Sequence, residues 1–238
     1  MAQKVIMAVG GHIGDMELTA GGVLATEALK GNKIVTVALT GGERGCPPGQ
    51  SVADYLVQKK EEAAAFARDL GGESVVFDIP DCELEVSKEN ALKLCDLIRY
   101  YRADVLITHW KGSLHKDHIA AHHITLDAQQ FAGLPSVERF NPDGSVLPAK
   151  FAAGPYYAEN WEDAYDYKPY VYMEVTPEGF RLWQSAIEHH WFAVHSKDFR
   201  YKEYYEHLMQ VRGIERRGDY AETFMLEPIG MRVMKNGF

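Results

Sequence analysis

The sequence predicts an α/β protein: a Rossmann-like, open, mostly parallel sheet flanked by helices, with a C-terminal lobe. Three observations lead there. Short β-rich apolar runs alternate with segments of helical periodicity up to residue 134. The helical segments are long enough to be crossovers between parallel strands. His, Asp and Glu gather where apolar runs stop, as expected for a ligand site at the carboxyl edge of such a sheet.

The elements follow in order. "KVIMAV" is a short apolar strand. "ELTAGGVLATEALKG" has apolar residues at helical spacing and stops at Gly31. "KIVTVAL" is the second strand, and "VADYLVQKKEEAAAFARDLGG" a helix closed by Gly71 and Gly72. "SVVFDI" is a strand, "KENALKLCDLIRYYRA" a helix with Leu92, Cys95 and Ile98 among its inward candidates, "DVLITH" a fourth strand and "KDHIAAHHITLDAQQFA" a fourth helix. From Leu134, "LPSVERFNPDGSVLPAKFAAGP" is Pro- and Gly-rich and reads as a long loop. "KPYVYMEV" is a further strand; "PEGFRLWQSAIEHHWFAV" and "DFRYKEYYEHLMQVRGIERRG" are two helices, the first opened by Pro177. One domain covers 1–238: a core over 1–134, a loop or lobe over the cleft at 135–165 carrying Tyr156, Tyr157 and Trp161, and a C-terminal strand and helices over 166–238.

Composition narrows the function classes. A chain of 238 residues with 46% hydrophobic residues fits one large domain. Its mean hydropathy is −0.27, and no apolar stretch approaches the roughly 20 residues that span a bilayer. Net charge is −9, with no dense Lys/Arg face, which argues against nucleic acid as a partner. The N-terminus lacks an apolar run followed by a small-residue cleavage site. Cys46, Cys82 and Cys95 lie far apart, with no CxxC pair. A reducing, cytoplasmic location is the expectation. Oligomeric state stays open, a homo-oligomer included.

Two strand ends carry chemistry. The first strand runs into His12, Asp15 and Glu17; the fourth ends at His109 and continues through His115, Asp117, His118, His122 and His123. Two imidazoles and a carboxylate are a common catalytic zinc set that leaves a position for water. Taken singly, Asp15 could only cap a helix, His109 could only bond its loop, and His122, His123, His189 and His190 read as packing or surface residues. The joint pattern His-x-x-Asp with His-x-Asp-His favours a shared site. A dinucleotide site is the rival, but Gly10, Gly11 and Gly14 miss the G-x-G-x-x-G spacing, and no acid closes "KIVTVALTGG".

The ordered motifs resemble the LmbE-like, or PIG-L, zinc-dependent N-acetylglucosaminyl de-N-acetylases. "GHIGDME" stands where that family has A-H-P-D-D-x-E, and "HKDH" where it has H-P-D-H. "LTGGERG", "KKEEAAAFARDLGG", "PDCEL", "HSKD" and "RGIERRGDYAETF" resemble its lesser motifs, in the same order. The resemblance implies a metal-dependent hydrolase acting on the N-acetyl group of a small amino sugar or conjugate. It implies His12, Asp15 and His118 as ligands of zinc or another divalent metal. His115 would stabilise the oxyanion or protonate the leaving amine, with Asp117 orienting and charging a neighbouring histidine. Lys59 stands where the family's substrate-binding Arg is expected, without its bidentate fork, and Glu43 joins it as a substrate-side residue.

One departure bears on mechanism. The family's general base is the first Asp of its Asp-Asp pair, and Gly14 stands there. Loss of a general base costs about 10²–10⁴-fold in rate, so weak activity is one expectation. Glu17 or Glu43 taking over is another, and a metal-binding module without catalysis is the alternative to an enzyme. If the backbone keeps the family's turn, a water-filled space should replace the carboxylate, and Gly14→Asp should fit.

Overall fold

The computed structural model describes residues 2–227. Its strands are β1 (Val5–Gly10), β2 (Lys33–Ala38), β3 (Glu73–Val76), β4 (Val105–Thr108), β5 (Ala153–Ala158), β6 (Val171–Val175) and β7 (Tyr220–Met225). They form one sheet in the order β3-β2-β1-β4-β5-β7-β6. The first five strands pair in parallel, while β7 pairs antiparallel with both β5 and β6. The helices are α1 (Asp15–Thr19), α2 (Gly21–Leu29), α3 (Val52–Asp69), α4 (Lys88–Tyr100), α5 (Lys116–Gly133), α6 (Pro177–Ala186), α7 (Trp191–His195) and α8 (Tyr201–Arg216). None of them is long and apolar enough to cross a membrane.

The two-residue period of β1 divides the core. Ile6 and Ala8 point into one cluster with Leu24, Trp183 and Met209; Met7 and Val9 point into the other with Leu94, Ile98 and Ile124. A parallel strand covered on both faces is predominantly apolar; β1 is apolar throughout, and β2 is apart from Lys33 at its start and the buried Thr36.

The structure differs from the sequence reading in three places. The predicted helix at 17–31 is two helices, broken at Ala20 (φ −134°, ψ 4°). Tertiary partners compensate the break. The Trp183 indole donates to the Glu17 carbonyl at 2.8 Å, and the Glu222 carboxylate accepts from the N–H groups of Gly22 and Val23 at 2.9 and 2.8 Å. Glu222 thus caps α2 from 200 residues away along the chain. Glu222→Ala leaves two buried donors without partners and should cost about 2–4 kcal/mol, to be read from urea unfolding; a change below 1 kcal/mol, roughly the net worth of one ordinary hydrogen bond, would refute this role.

The second difference lies in the 135–165 stretch, expected as a lobe over the cleft. Its middle is β5, an interior strand, and Tyr157 is fully buried. Arg99, itself buried, donates to the carbonyls of Phe131, Ala132, Leu134, Val137 and Leu147, which holds the preceding loop. Of this stretch, Asn160, Trp161 and Glu162 line the cleft. The C-terminal strands β6 and β7 extend the same sheet. Third, the predicted helix at 177–194 breaks at a 3₁₀ turn, Ile187–His189, and α7 starts afresh at Trp191.

Candidate active site

A cleft of about 860 Å³ opens at the carboxyl edge of the sheet. Its walls come from the segments that follow successive strands: His12 after β1, Gly42 after β2, Asp81 after β3, His115 and His118 after β4, Glu162 after β5. This is where an open α/β sheet presents ligands.

Asp15 is the hub. Its Oδ2 accepts from the His12 backbone N–H at 2.7 Å, and lies 3.3 Å from His12 Nδ1 and 3.4 Å from His118 Nε2. Ligands at about 2.0–2.1 Å in tetrahedral geometry are separated by roughly 3.3–3.4 Å, a spacing that Asp15 keeps to each of these histidines; the sets whose ligand atoms all lie within 4.8 Å of one another include Asp15 with His109 and His118, and His12 with His115 and His118. His109 Nε2 is also 3.0 Å from Asp15 Oδ2, but His109 is fully buried and stands behind the cleft wall.

Buried carboxylates aim these rings. Asp163, fully buried, reaches His109 Nδ1 at 2.9 Å with one oxygen and His118 Nδ1 at 3.1 Å with the other. The two rings consequently stack at 3.9 Å and turn their Nε2 atoms toward Asp15. On the far side, Asp81 and Asp117 lie 3.3 and 3.4 Å from His12 Nε2, which leaves Nδ1 for the Asp15 side. Asp117 accepts from the Cys82 N–H at 2.8 Å, and its second oxygen is buried without a partner. The cluster holds a surplus of carboxylates. Burial alone lowers the pKa of His118, yet Asp15 and Asp163 raise it to about 9. Burial likewise opposes protonation of His12, but Asp15, Asp117 and Asp81 hold its pKa well above the usual imidazole value. Such a cluster attracts positive charge, and a metal satisfies the same demand.

His115 behaves differently. It opens α5, and its Nδ1 accepts from the Asp117 N–H at 3.2 Å. That bond puts the proton of the neutral ring on Nε2. Burial, then the neighbouring His12 and His118, lower its pKa, so the ring is a neutral donor near pH 7. It packs edge-on against His12 at 4.5 Å.

The family model for GlcNAc-PI de-N-acetylases matches residues 7–129, which include every residue of this cluster except Asp163. The chain belongs to the PIG-L family. It is 24% identical over 180 residues to the diacetylchitobiose deacetylase of Thermococcus kodakarensis; the match covers 73% of this chain and spans 64% of that protein's length. Among solved structures, 4-carboxy-2-hydroxymuconate hydratase from Pseudomonas putida superposes with a TM-score of 0.83 at 23% identity, covering 99% of this chain and 100% of the hydratase. N,N'-diacetylchitobiose deacetylase from Pyrococcus horikoshii superposes with a TM-score of 0.79 at 19% identity, covering 98% of this chain and 87% of the deacetylase. At these identities the superpositions establish the PIG-L fold, not a reaction.

The space expected at Gly14 is absent. A Cβ on Gly14 would lie 2.3 Å from Phe192 Cζ, and Gly14 sits at φ +104°. The backbone there requires glycine, and the ring of Phe192, brought over by the break before α7, fills the position where the PIG-L resemblance places a carboxylate. The substitutes considered for it face elsewhere. Glu17 accepts from the Gly14 N–H at 3.1 Å and caps α1; burial pushes it up to about 7. Glu43 accepts from the Asp81 N–H at 2.9 Å and so supports the Asp81 loop. Neither lines the cleft. Lys59 does, as does Glu162, whose Oε2 lies 3.7 Å from His118 Nδ1. Asp163 escaped the sequence reading because no motif surrounds it and the strand before it reads as loop.

Proposed function

We propose that this protein is a metal-dependent PIG-L hydrolase that removes the acetyl group from a small N-acetylated amino sugar or conjugate. One observation supports it above the rest: on a cleft wall, Asp15 Oδ2 stands at metal-ligand spacing from both His12 and His118, with His115 beside His12. The fold is shared with deacetylases and with a hydratase, so the argument for hydrolysis rests on the site and on the family. We also place it in the cytoplasm, a reducing compartment with which its free Cys46, Cys82 and Cys95 accord.

In this reading His12, Asp15 and His118 would hold zinc or another divalent ion, which when bound would supply Lewis acidity and lower the pKa of a water there. Asp163 fixes the orientation of His118, and Asp81 with Asp117 fixes His12. The His115 Nε2–H donates to the charge that develops on the amide oxygen and then to the leaving amine. Glu162 takes the proton from the attacking water. Its carboxyl is held above the usual range by burial, which suits a base working near neutrality.

Metal analysis of the purified protein together with amine release across N-acetyl sugars tests the reading. Glu162→Gln should lower kcat by about 10²–10⁴-fold with metal content intact; unchanged turnover would remove Glu162 from the mechanism. A second reading, a metal-binding module without catalysis, is favoured by the Phe192 ring at the base position. Bound metal with no amine release from any substrate would support that reading.

A further inference from the structure

The cleft continues past the His–Asp cluster. Lys197 and Asp198, between α7 and α8, line it and also line a second groove of about 500 Å³. Aromatic rings run from one to the other. Trp161 and Tyr201 face the cleft, and each packs on Phe199, at 4.6 and 4.8 Å between centroids. Phe199 lines the groove and meets Tyr204 there at 5.1 Å. Beyond Tyr204 the groove runs over Leu208 and Val211 of α8.

A surface helix buries one apolar face and turns a polar one to water. The buried face of α8 carries Tyr205, Met209 and Gly213. Tyr204, Leu208 and Val211 stand at i, i+4 and i+7, a second apolar face beside the first. Tyr204 is 37% exposed and Val211 51%, with Leu208 half-buried between them. Even with Ile214 one turn on, these few side chains fall short of the roughly 800 Å² per side that a stable protein interface buries. A small flat group suits the groove better. Aromatic rings pair at about 4.5–7 Å between centroids, offset or edge-on, and the Phe199 and Tyr204 rings are already set in that way.

We propose that the groove is a subsite for an aromatic group of the substrate, joined to the N-acetylated part that lies in the cleft. The substrate is then an aryl conjugate of an amino sugar rather than the free sugar. The acetamido half of that statement rests on the deacetylase reading above; the aromatic subsite does not.

The methyl and 4-methylumbelliferyl glycosides of N-acetylglucosamine are a matched pair of probes, since they differ only in the aglycone. In calorimetry with the full chain and zinc, the aryl glycoside should bind about 10-fold more tightly or better. Val211→Glu and Tyr204→Ser should each erase that preference, and Tyr204→Phe, which keeps the ring, should retain it. Equal binding of the two probes, binding of neither, a preference that survives both disruptive variants, or one that Tyr204→Phe also loses would each overturn the inference. So would a wild-type dimer, seen by light scattering, that Val211→Glu dissociates, because the stripe would then face a second copy. The two readings fail separately. A groove-dependent preference for the aryl glycoside without amine release keeps the subsite and rejects the deacetylase. Amine release from both probes with equal affinity keeps the deacetylase and rejects the subsite.

Discussion

Replacing His118 with Ala is expected to strip the protein of bound metal and to abolish turnover. His118 is 2% exposed and has two jobs on one ring. Its Nε2 faces Asp15 at 3.4 Å, and its Nδ1 is held by Asp163 at 3.1 Å. The truncation removes a proposed ligand, and it leaves a buried carboxylate with His109 as its remaining imidazole partner. Removing a residue that merely orients a ligand costs about 10–100-fold in metal affinity. His118→Ala should exceed that range, whereas Asp163→Asn should fall within it. Equilibrium dialysis against zinc separates the two. Metal retained at wild-type affinity in His118→Ala would sink the assignment.

Proton linkage gives the same residue a second signature, in the metal-free protein. The folded-state pKa of about 9 lies above the ordinary imidazole value of 6.5. Protonation of His118 therefore favours the fold. This contribution is complete below about pH 6.5 and is lost as pH rises through about 9. His12, also raised, acts in the same direction. Metal-free wild type should lose stability across that window. Added metal should remove much of the dependence, and His118→Ala should reduce it.

Much of this site was legible because its signals are local. His12 and Asp15 are three residues apart, and His115, Asp117 and His118 open one helix. Strand ends locate both groups on the same edge of the sheet, so periodicity and parallel pairing suffice to bring them together. The residues that aim the rings were not legible in that way. Asp163 follows β5, whose "AGPYYA" carries a Gly-Pro break signal and reads as loop. Its pairing with β4 on one side and β7 on the other makes it a strand. The break between α1 and α2 has a similar cause. Two glycines lie inside a helical pattern there, and the groups that satisfy the broken backbone, Trp183 and Glu222, come from the far end of the chain. Sequence periodicity registers what a segment needs, not which distant group will supply it.

Gly14→Asp is expected to damage the protein rather than repair it. A family comparison of motifs alone suggests that the change restores a missing carboxylate. The structure opposes this on two counts. Gly14 sits at φ +104°, which a side chain with a Cβ adopts only under strain, and the Phe192 ring occupies the first atom's position at 2.3 Å. Strain of this kind costs about 1–3 kcal/mol, and forcing extra volume against a packed ring about 1–3 more. The variant should therefore be destabilised by about 2–6 kcal/mol, measured by urea unfolding. Amine release should not rise. Phe192 also lines the cleft and lies 4.9 Å from the Lys59 ammonium, so displacing it should disturb substrate binding too. Combining Gly14→Asp with Phe192→Ala tests the cause. The pair are in contact and should couple: relief of the clash returns part of the lost stability, while the backbone strain stays. If Gly14→Asp alone is as stable as wild type and releases amine faster, the glycine and the ring are not a matched replacement, and the proton acceptor returns to position 14. If both variants behave as expected, the carboxylate of the family has here been exchanged for an aromatic wall, and Glu162, which also lines the cleft, stays the proposed acceptor.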